Sequence, residues 1–181
     1  PRLPDEEEYD PPAKPMREVD LSGWFRPVKN QLTLGACSSF ATSSVLEYIH
    51  NRFVYSPTVP NYHKRFDMAE LFVYWNSRID KGLDNGSHIS AAARALRNAG
   101  ACLDRAWPYY VDNFRERPNQ RAFENALKHK IFNHYTLPWD KKDKNLVKTK
   151  IIYALLNDYP VLLAIRPRRN FQFQSVGRFF I

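Results

Sequence analysis

Apolar residues recur along the first half of this chain with the spacing of helices. Between residues 38 and 52 they repeat every three or four positions, which predicts a helix with one buried face. That face consists of Phe40, Ala41, Val45, Leu46 and Ile49. The same pattern predicts helices over 68–78 and 89–98, the second ending before Gly100, which suits a helix C-terminal cap.

The second half of the chain contains both helical and strand patterns. A short helix is predicted around 122–127, and a longer one runs through 151–156, with the lysines of 140–150 on its exposed side. The alternation over 130–137 and the apolar run 161–165 each predict a strand. Helices followed by strand, helix and strand predict an α+β protein with two packed lobes.

Charge is distributed unevenly. Residues 1–20 hold seven acidic and three basic side chains, so they carry −4, and the rest of the chain carries +12 of the total of +8. The prolines among the acids of residues 1–19 predict an extended or disordered leader. The basic body fits a solvated surface, electrostatic docking of the leader, or a partner in an assembly. Nucleic acid is not the expected partner, because the lysines of 140–150 have no interleaved aromatic residues.

The chain lacks the patterns that mark membranes, secretion signals and metal sites. No run approaches the roughly 18 apolar residues of a membrane span, and the acidic N-terminus does not resemble a signal peptide, so the compartment stays open. Cys37 and Cys102 have no metal-ligand spacing and are too few for a disulfide scaffold. We therefore predict a fold that is independent of disulfide bonds and needs no metal or other cofactor.

The segment from residue 27 to residue 41, PVKNQLTLGACSSFA, carries the clearest chemical signal. A thiol at the predicted start of a helix, as at Cys37, faces the positive end of the helix macrodipole, which stabilises a thiolate. Gln31 lies six residues earlier and could donate to an oxyanion together with the Cys37 backbone N–H. Gly35 permits close approach of a substrate backbone. The alternative is a buried, inert Cys37 and a surface Gln31.

This segment closely resembles the nucleophile segment of the papain-like cysteine peptidases. The family has Val-Lys-Asn-Gln, a short loop, then Gly-Ser-Cys-Trp-Ala-Phe-Ser. The positions that fall on identities are Gln31, Gly35, Cys37 and Phe40. The resemblance implies that Cys37 is the nucleophile and that Gln31 belongs to the oxyanion hole.

Three positions depart from the family pattern. Leu34 stands where animal and plant members usually have a disulfide cysteine, Ser38 replaces the usual tryptophan, and Leu32 replaces a glycine beside the glutamine. The Leu-Gly-x-Cys form resembles a disulfide-free branch found in bacteria and large DNA viruses. The change at Leu32 leaves the geometry of this loop open.

A second group of motifs resembles the same branch in the same order. They are Leu71-Phe72-Val73-Tyr74-Trp75-Asn76-Ser77-Arg78, Gly86-Ser87-His88-Ile89, Gly100-Ala101-Cys102-Leu103 and Trp107-Pro108-Tyr109. By this resemblance Asn85, Gly86 and Ser87 line the substrate cleft and pair with the substrate backbone, and Cys102 is structural.

The resemblance extends over roughly residues 20–181 and implies a papain-like two-lobe fold. Residues 1–19 are expected to be the leader or a propeptide remnant. Residues 20–115 are expected to form a complete helical left lobe, and 116–181 the start of a β-rich right lobe that is incomplete in this sequence.

The family's catalytic histidine and asparagine lie about 130–150 residues after the nucleophile, which here is about residues 167–187. No histidine follows His134, so both residues are expected beyond residue 181. His88 follows the cleft segment and would face the wrong side of the thiol as a substitute base. The other histidines are expected to be surface or structural residues.

Two functions remain open from the sequence. The first is a cysteine endopeptidase that cleaves peptide or protein substrates through an acyl-enzyme on Cys37, with the 181-residue chain alone expected to be inactive. The second is a catalytically silent papain-like fold that serves as a structural or binding component of an assembly such as a virion.

Overall fold

The computed structural model describes residues 18–54, 66–137 and 144–165, and about half of these residues are helical. The α-helices are α1 (Cys37–Ile49), α2 (Glu70–Ser77), α3 (Ile89–Asn98), α4 (Gln120–Ala126) and α5 (Lys144–Leu156). Short 3-10 turns lie at Ser22–Trp24, Asp104–Ala106 and Val111–Arg115, and a π-helical turn, His50–Val54, continues α1. The helices predicted from the sequence are therefore present. Within these ranges, no helix combines the length and the hydropathy that crossing a membrane requires.

Helix α2 is the centre of the core because it is apolar on every side. Leu71, Phe72, Val73 and Tyr74 are each 0% exposed, and between them they reach three separate hydrophobic clusters. Val73 packs with residues of α1 and α3, whereas Phe72 packs with residues of α4. A helix that is hydrophobic all round must be covered on all sides, and each such side chain contributes about 1.5–3 kcal/mol on burial.

Helix α1 packs against α2 and α3, but not through the face that its apolar residues predict. Leu46 is buried, whereas the other four predicted positions are only partly buried. The buried face is instead rich in small polar residues, namely Ser38, Ser39, Thr42 and Ser43. Small side chains allow neighbouring helices to approach closely, and Thr42 satisfies its hydroxyl by donating to the Ser38 carbonyl at 2.8 Å. The prediction of the helix is confirmed and that of its buried stripe is wrong.

The two predicted strands are not observed. Residues 130–137 and 161–165 are irregular, and the β-pairing in the described part of the chain is an isolated antiparallel bridge between Met68 and Leu103. An extended segment becomes a strand only when a neighbour accepts its hydrogen bonds, and an alternating pattern cannot supply that neighbour. The predicted helical part is thus present, whereas the β-rich lobe remains a prediction.

Gly100 ends α3 as predicted and also allows α4 to approach. Its φ is +82°, and its N–H donates to the Ala95 carbonyl at 3.1 Å. A Cβ placed on it would lie 2.0 Å from the carbonyl oxygen of Ala126. The position therefore requires glycine for conformation and for space.

Candidate active site

Cys37 is the first residue of α1, as the sequence predicted, and it is exposed to solvent. As the first helical residue its backbone N–H has no acceptor within the helix, and the N-terminal end of a helix favours negative charge. Cys102 has the opposite environment, because it is fully buried between α2 and α4. Burial raises the pKa of the Cys102 thiol to about 12. The two cysteines are both free, and they differ sharply in access.

Gln31 lies in the loop before Cys37 and is held at both its backbone and its side chain. Its amide Nε2 donates to the Leu34 carbonyl at 2.8 Å, and its own carbonyl accepts from the Tyr109 hydroxyl at 2.8 Å. An amide NH2 has two hydrogens, so the bond to Leu34 leaves a second donor. This donor group therefore lies on the short loop that leads into Cys37.

Leu32 shows how the loop accommodates the departure from the family's glycine. Its φ is +55°, the left-handed region that glycine enters without cost, and its N–H donates to Asn30 Oδ1 at 2.8 Å. The side chain remains 60% exposed, so little burial compensates for the strained backbone. The chain therefore keeps the glycine-type turn with a leucine in it.

The predicted cleft residues lie beside the nucleophile loop. Gly86, with φ +77°, approaches Gly35 so closely that a Cβ on Gly35 would lie 3.4 Å from the Gly86 backbone. Ser87 Oγ is 2.5 Å from Ser38 Oγ and accepts from Ser77 Oγ at 2.9 Å. The structure thus brings residues on both sides of Cys37 against the segment 84–87. Asn85, between these contacts, is exposed.

Asp84, which the sequence indicated only as part of a tight turn, anchors this arrangement. Its carboxylate oxygens accept from the Gly35 N–H at 3.0 and 3.1 Å, and Oδ1 also accepts from the Tyr74 hydroxyl. The Tyr74 hydroxyl in turn accepts from the Gly86 N–H at 3.3 Å. The only sequence signal was an acidic residue directly before Asn-Gly.

A second group that sequence reasoning missed is a partly buried cluster of ion pairs behind the nucleophile helix. Lys29 Nζ lies 3.0 Å from Glu47 Oε1, 2.5 Å from Asp67 Oδ1 and 2.5 Å from Glu70 Oε1. Burial alone would lower the pKa of Lys29, but attraction to Glu70 and Glu47 raises it above its ordinary value. Burial raises the pKa of Glu70 to about 7, although Lys29 opposes this.

These carboxylates are the residues in the described ranges closest to a metal-binding geometry. One oxygen from each lies within 4.8 Å of the others. Oxygen ligands of this kind suit calcium or magnesium, but the Lys29 ammonium already contacts all three carboxylates and donates to the Met68 carbonyl at 3.4 Å as well. The cluster is therefore explained as an ion-pair network. Lys29, Asp67 and Glu70 are among the residues that line an open pocket of about 340 Å³.

None of the histidines in the described ranges is hydrogen-bonded to Cys37. His88 is exposed at the start of α3, where its carbonyl accepts from the first-turn amides of that helix. His50 and His129 are half-buried in an aromatic group, with ring centroids 5.2 Å apart and His50 stacked on Phe66 at 4.4 Å. This supports the structural interpretation of both. His63 lies outside the described residues.

The half-buried imidazole of His50 predicts that the folded state is less stable in mild acid. Burial, followed by repulsion from His129, lowers the pKa of His50 from 6.5 to about 4. Between these values the unfolded chain binds a proton that the folded chain excludes, so stability falls as pH drops from about 6.5 to about 4. Because His50 is partly exposed, we expect a loss of about 1–2 kcal/mol rather than the full value of the shift.

Denaturant unfolding at several pH values, compared between the wild type and His50→Phe, tests this. Phenylalanine keeps the stacking on Phe66 but cannot titrate. The variant should lose less stability over the window than the wild type, and equal slopes for the two proteins would contradict the assignment.

Known proteins resemble this chain in both sequence and structure. No protein-family model matches the sequence. The chain is 26% identical over 161 residues to an uncharacterized peptidase C1-like protein of Acanthamoeba polyphaga mimivirus, a match of 82% of this chain and 47% of that protein. The structure of this chain resembles that of xylellain, a cysteine protease from Xylella fastidiosa, with a TM-score of 0.61 and 21% sequence identity. The match covers 75% of this chain and 51% of xylellain. The chain thus spans about half the length of either relative.

The structural likeness defines the class: the described helical part has the papain-like fold. Together with the sequence similarity to the peptidase C1-like protein of mimivirus, this confirms the resemblance drawn from the motifs.

Proposed function

We propose that the full-length protein is a cysteine peptidase in which Cys37 is the nucleophile. The observation that carries the proposal is the exposed thiol at the N-terminus of α1, flanked by Gly35 and Ser38, both of which contact the segment 84–87. A peptide bound along that segment would present its carbonyl carbon beside the sulfur. The naming of the relatives as peptidase C1-like and cysteine protease supports the same activity.

The proposed chemistry uses Cys37, Gln31 and a histidine. The Cys37 thiolate attacks the carbonyl carbon of the scissile bond, and the negative charge moves to the carbonyl oxygen. The Cys37 backbone N–H and the second amide hydrogen of Gln31 stabilise that oxyanion. Collapse of the intermediate breaks the C–N bond, a protonated histidine gives its proton to the leaving amine, and water then hydrolyses the thioester.

The remaining parts of the site are also proposals. Gly35, Asn85, Gly86 and Ser87 bind the substrate backbone, the two glycines by leaving room for it and the other two by hydrogen bonding. The histidine and its orienting asparagine belong to the β-rich lobe that begins at about residue 116, and both lie beyond residue 181.

A second function is a papain-like scaffold without catalysis, which binds partners in an assembly. The observation in its favour is Leu32, because a left-handed leucine beside the oxyanion glutamine is a cost that a glycine would avoid. Exposed basic residues on and after α3 and around α4 would supply the docking surface. They include Arg94, Arg97, Arg117, Arg121, Lys128 and Lys130.

A thiol-directed vinyl-sulfone peptide probe separates the two functions. In the full-length native protein we expect rapid labelling of Cys37 alone, located by peptide mapping, together with peptidase activity. Cys37→Ala should abolish both, whereas Cys102→Ala should retain both. A Cys37 that reacts only as fast as a free thiol in a short peptide, without peptidase activity, would leave the scaffold function.

A further inference from the structure

A carboxylate links the segment that forms one edge of the proposed cleft to the nucleophile loop. Both oxygens of Asp84 accept from the Gly35 N–H, at 3.0 and 3.1 Å, across 49 residues of sequence. Hydrogen bonds to an ionised acceptor are about twice as strong as neutral ones. The contact therefore fixes the position of Gly35 relative to the chain that follows Asp84.

Tyr74 makes this tie rigid. Its ring is fully buried in the core of α2, its hydroxyl donates to Asp84, and the same hydroxyl accepts from the Gly86 N–H at 3.3 Å. Burial, reinforced by Asp84, raises the pKa of Tyr74 to about 12, so the hydroxyl keeps the proton that it donates. One carboxylate and one phenol thus hold the backbone on both sides of the Gly35 to Gly86 approach.

Such a tie has a specific purpose at this loop. By the resemblance of this segment to the papain family, Leu34 stands at the position of a disulfide cysteine, and both cysteines of this chain are free. The Ser38 to Ser87 contact holds the other side of Cys37 but joins two neutral hydroxyls. Of the two links, the one at Asp84 uses a carboxylate as acceptor.

We propose that Asp84 is a positioning residue that, held by Tyr74, fixes the substrate-binding segment 85–87 beside the nucleophile loop in place of a covalent tie. The consequence for substrate binding rests on the proposed peptidase function, whereas the tie itself does not. Loss of the carboxylate should loosen both glycine backbones and weaken peptide binding without unfolding the α2 core.

Amide hydrogen exchange on the full-length protein, followed residue by residue by NMR, tests the tie. In Asp84→Ala the Gly35 and Gly86 amides should exchange about tenfold faster or more, while the buried Val73 amide keeps its wild-type rate. Asp84→Asn keeps one carbonyl oxygen as acceptor, so its exchange rates should lie between those of the wild type and Asp84→Ala. Asp80→Ala is the matched control, because Asp80 is exposed on the same connection and its carboxylate accepts from Gly82 at 2.8 Å.

Peptide kinetics test the consequence. Asp84→Ala should raise KM about tenfold with a smaller change in kcat. The KM of Asp84→Asn should be closer to that of the wild type than to that of Asp84→Ala, and Asp80→Ala should match the wild type. Wild-type exchange rates at Gly35 and Gly86 in Asp84→Ala would overturn the proposal, as would equal acceleration of Val73, which indicates a merely structural role. A wild type without peptidase activity would contradict the proposed function instead, and the exchange rates would still decide the role of Asp84.

Discussion

Replacing Lys29 by methionine is expected to destabilise the folded chain by about 3–5 kcal/mol near neutral pH. Glu47 and Glu70 have side chains only 1% and 3% exposed, and Lys29 contacts both. Glu47 also accepts from the Met68 N–H at 2.8 Å, so it cannot turn towards solvent without breaking a backbone contact. Methionine fills a similar volume, and the loss would therefore report the uncompensated carboxylates rather than a cavity.

The pH dependence of this variant should identify the cause. Burial already raises the pKa of Glu47, and it raises the pKa of Glu70 to about 7. Without Lys29 both values rise further, so the folded variant takes up protons at a pH where the unfolded chain has lost them. Stability contributed by these groups is then present below about pH 4.5 and is lost as pH rises through their folded pKa values.

Denaturant unfolding of the wild type and Lys29→Met at about pH 5 and pH 8 measures both effects. The difference between the two proteins should be larger at the higher pH. Lys148→Met, at an exposed position on α5, removes the same charge and should change stability by less than about 0.5 kcal/mol. Equal, small losses in both variants would contradict the ion-pair account.

Gly100→Ala is expected to cost about 3 kcal/mol, the second largest effect. A left-handed backbone costs an alanine roughly 1–2 kcal/mol, and an added methyl in a filled space about 1–3 kcal/mol more. The methyl group would lie 2.0 Å from the Ala126 carbonyl oxygen and 2.8 Å from its carbon, and a backbone group at the end of α4 cannot rotate away. Part of the loss should therefore arise from separation of α4 from α3.

Gly23→Ala is the matched control, because a Cβ at Gly23 meets no atom within 4 Å. Thermal unfolding of the two variants beside the wild type should show a lower midpoint for Gly100→Ala and little change for Gly23→Ala. Similar midpoints for the two would indicate that α4 moves aside at little cost.

The sequence predicted the elements of the site better than the contacts that hold them. The motif around Cys37 predicted a thiol at the start of a helix, and the structure places Cys37 as the first residue of α1. This succeeded because a helix start is a local property, encoded within a few residues. The strands predicted at 130–137 and 161–165 failed because a strand depends on a distant partner.

The same distinction explains why Lys29 and Asp84 were missed as structural anchors. Lys29 contacts carboxylates 18, 38 and 41 residues away, and each of those residues taken alone resembles a charged group on a helix surface or in a loop. Asp84 reaches Gly35 across 49 residues. No periodicity records such pairs, and only the folded chain reveals them.

The contrast between the two cysteines makes the native protein a reporter of its own unfolding. These 181 residues contain two thiols, one exposed at Cys37 and one enclosed at Cys102. With the modified cysteines located by peptide mapping, a coloured disulfide reagent should therefore react with Cys37 in the folded state and with both Cys37 and Cys102 after denaturation. Once Cys37 is blocked, the slow modification of Cys102 measures how often the contact between α2 and α4 opens, without any engineered label.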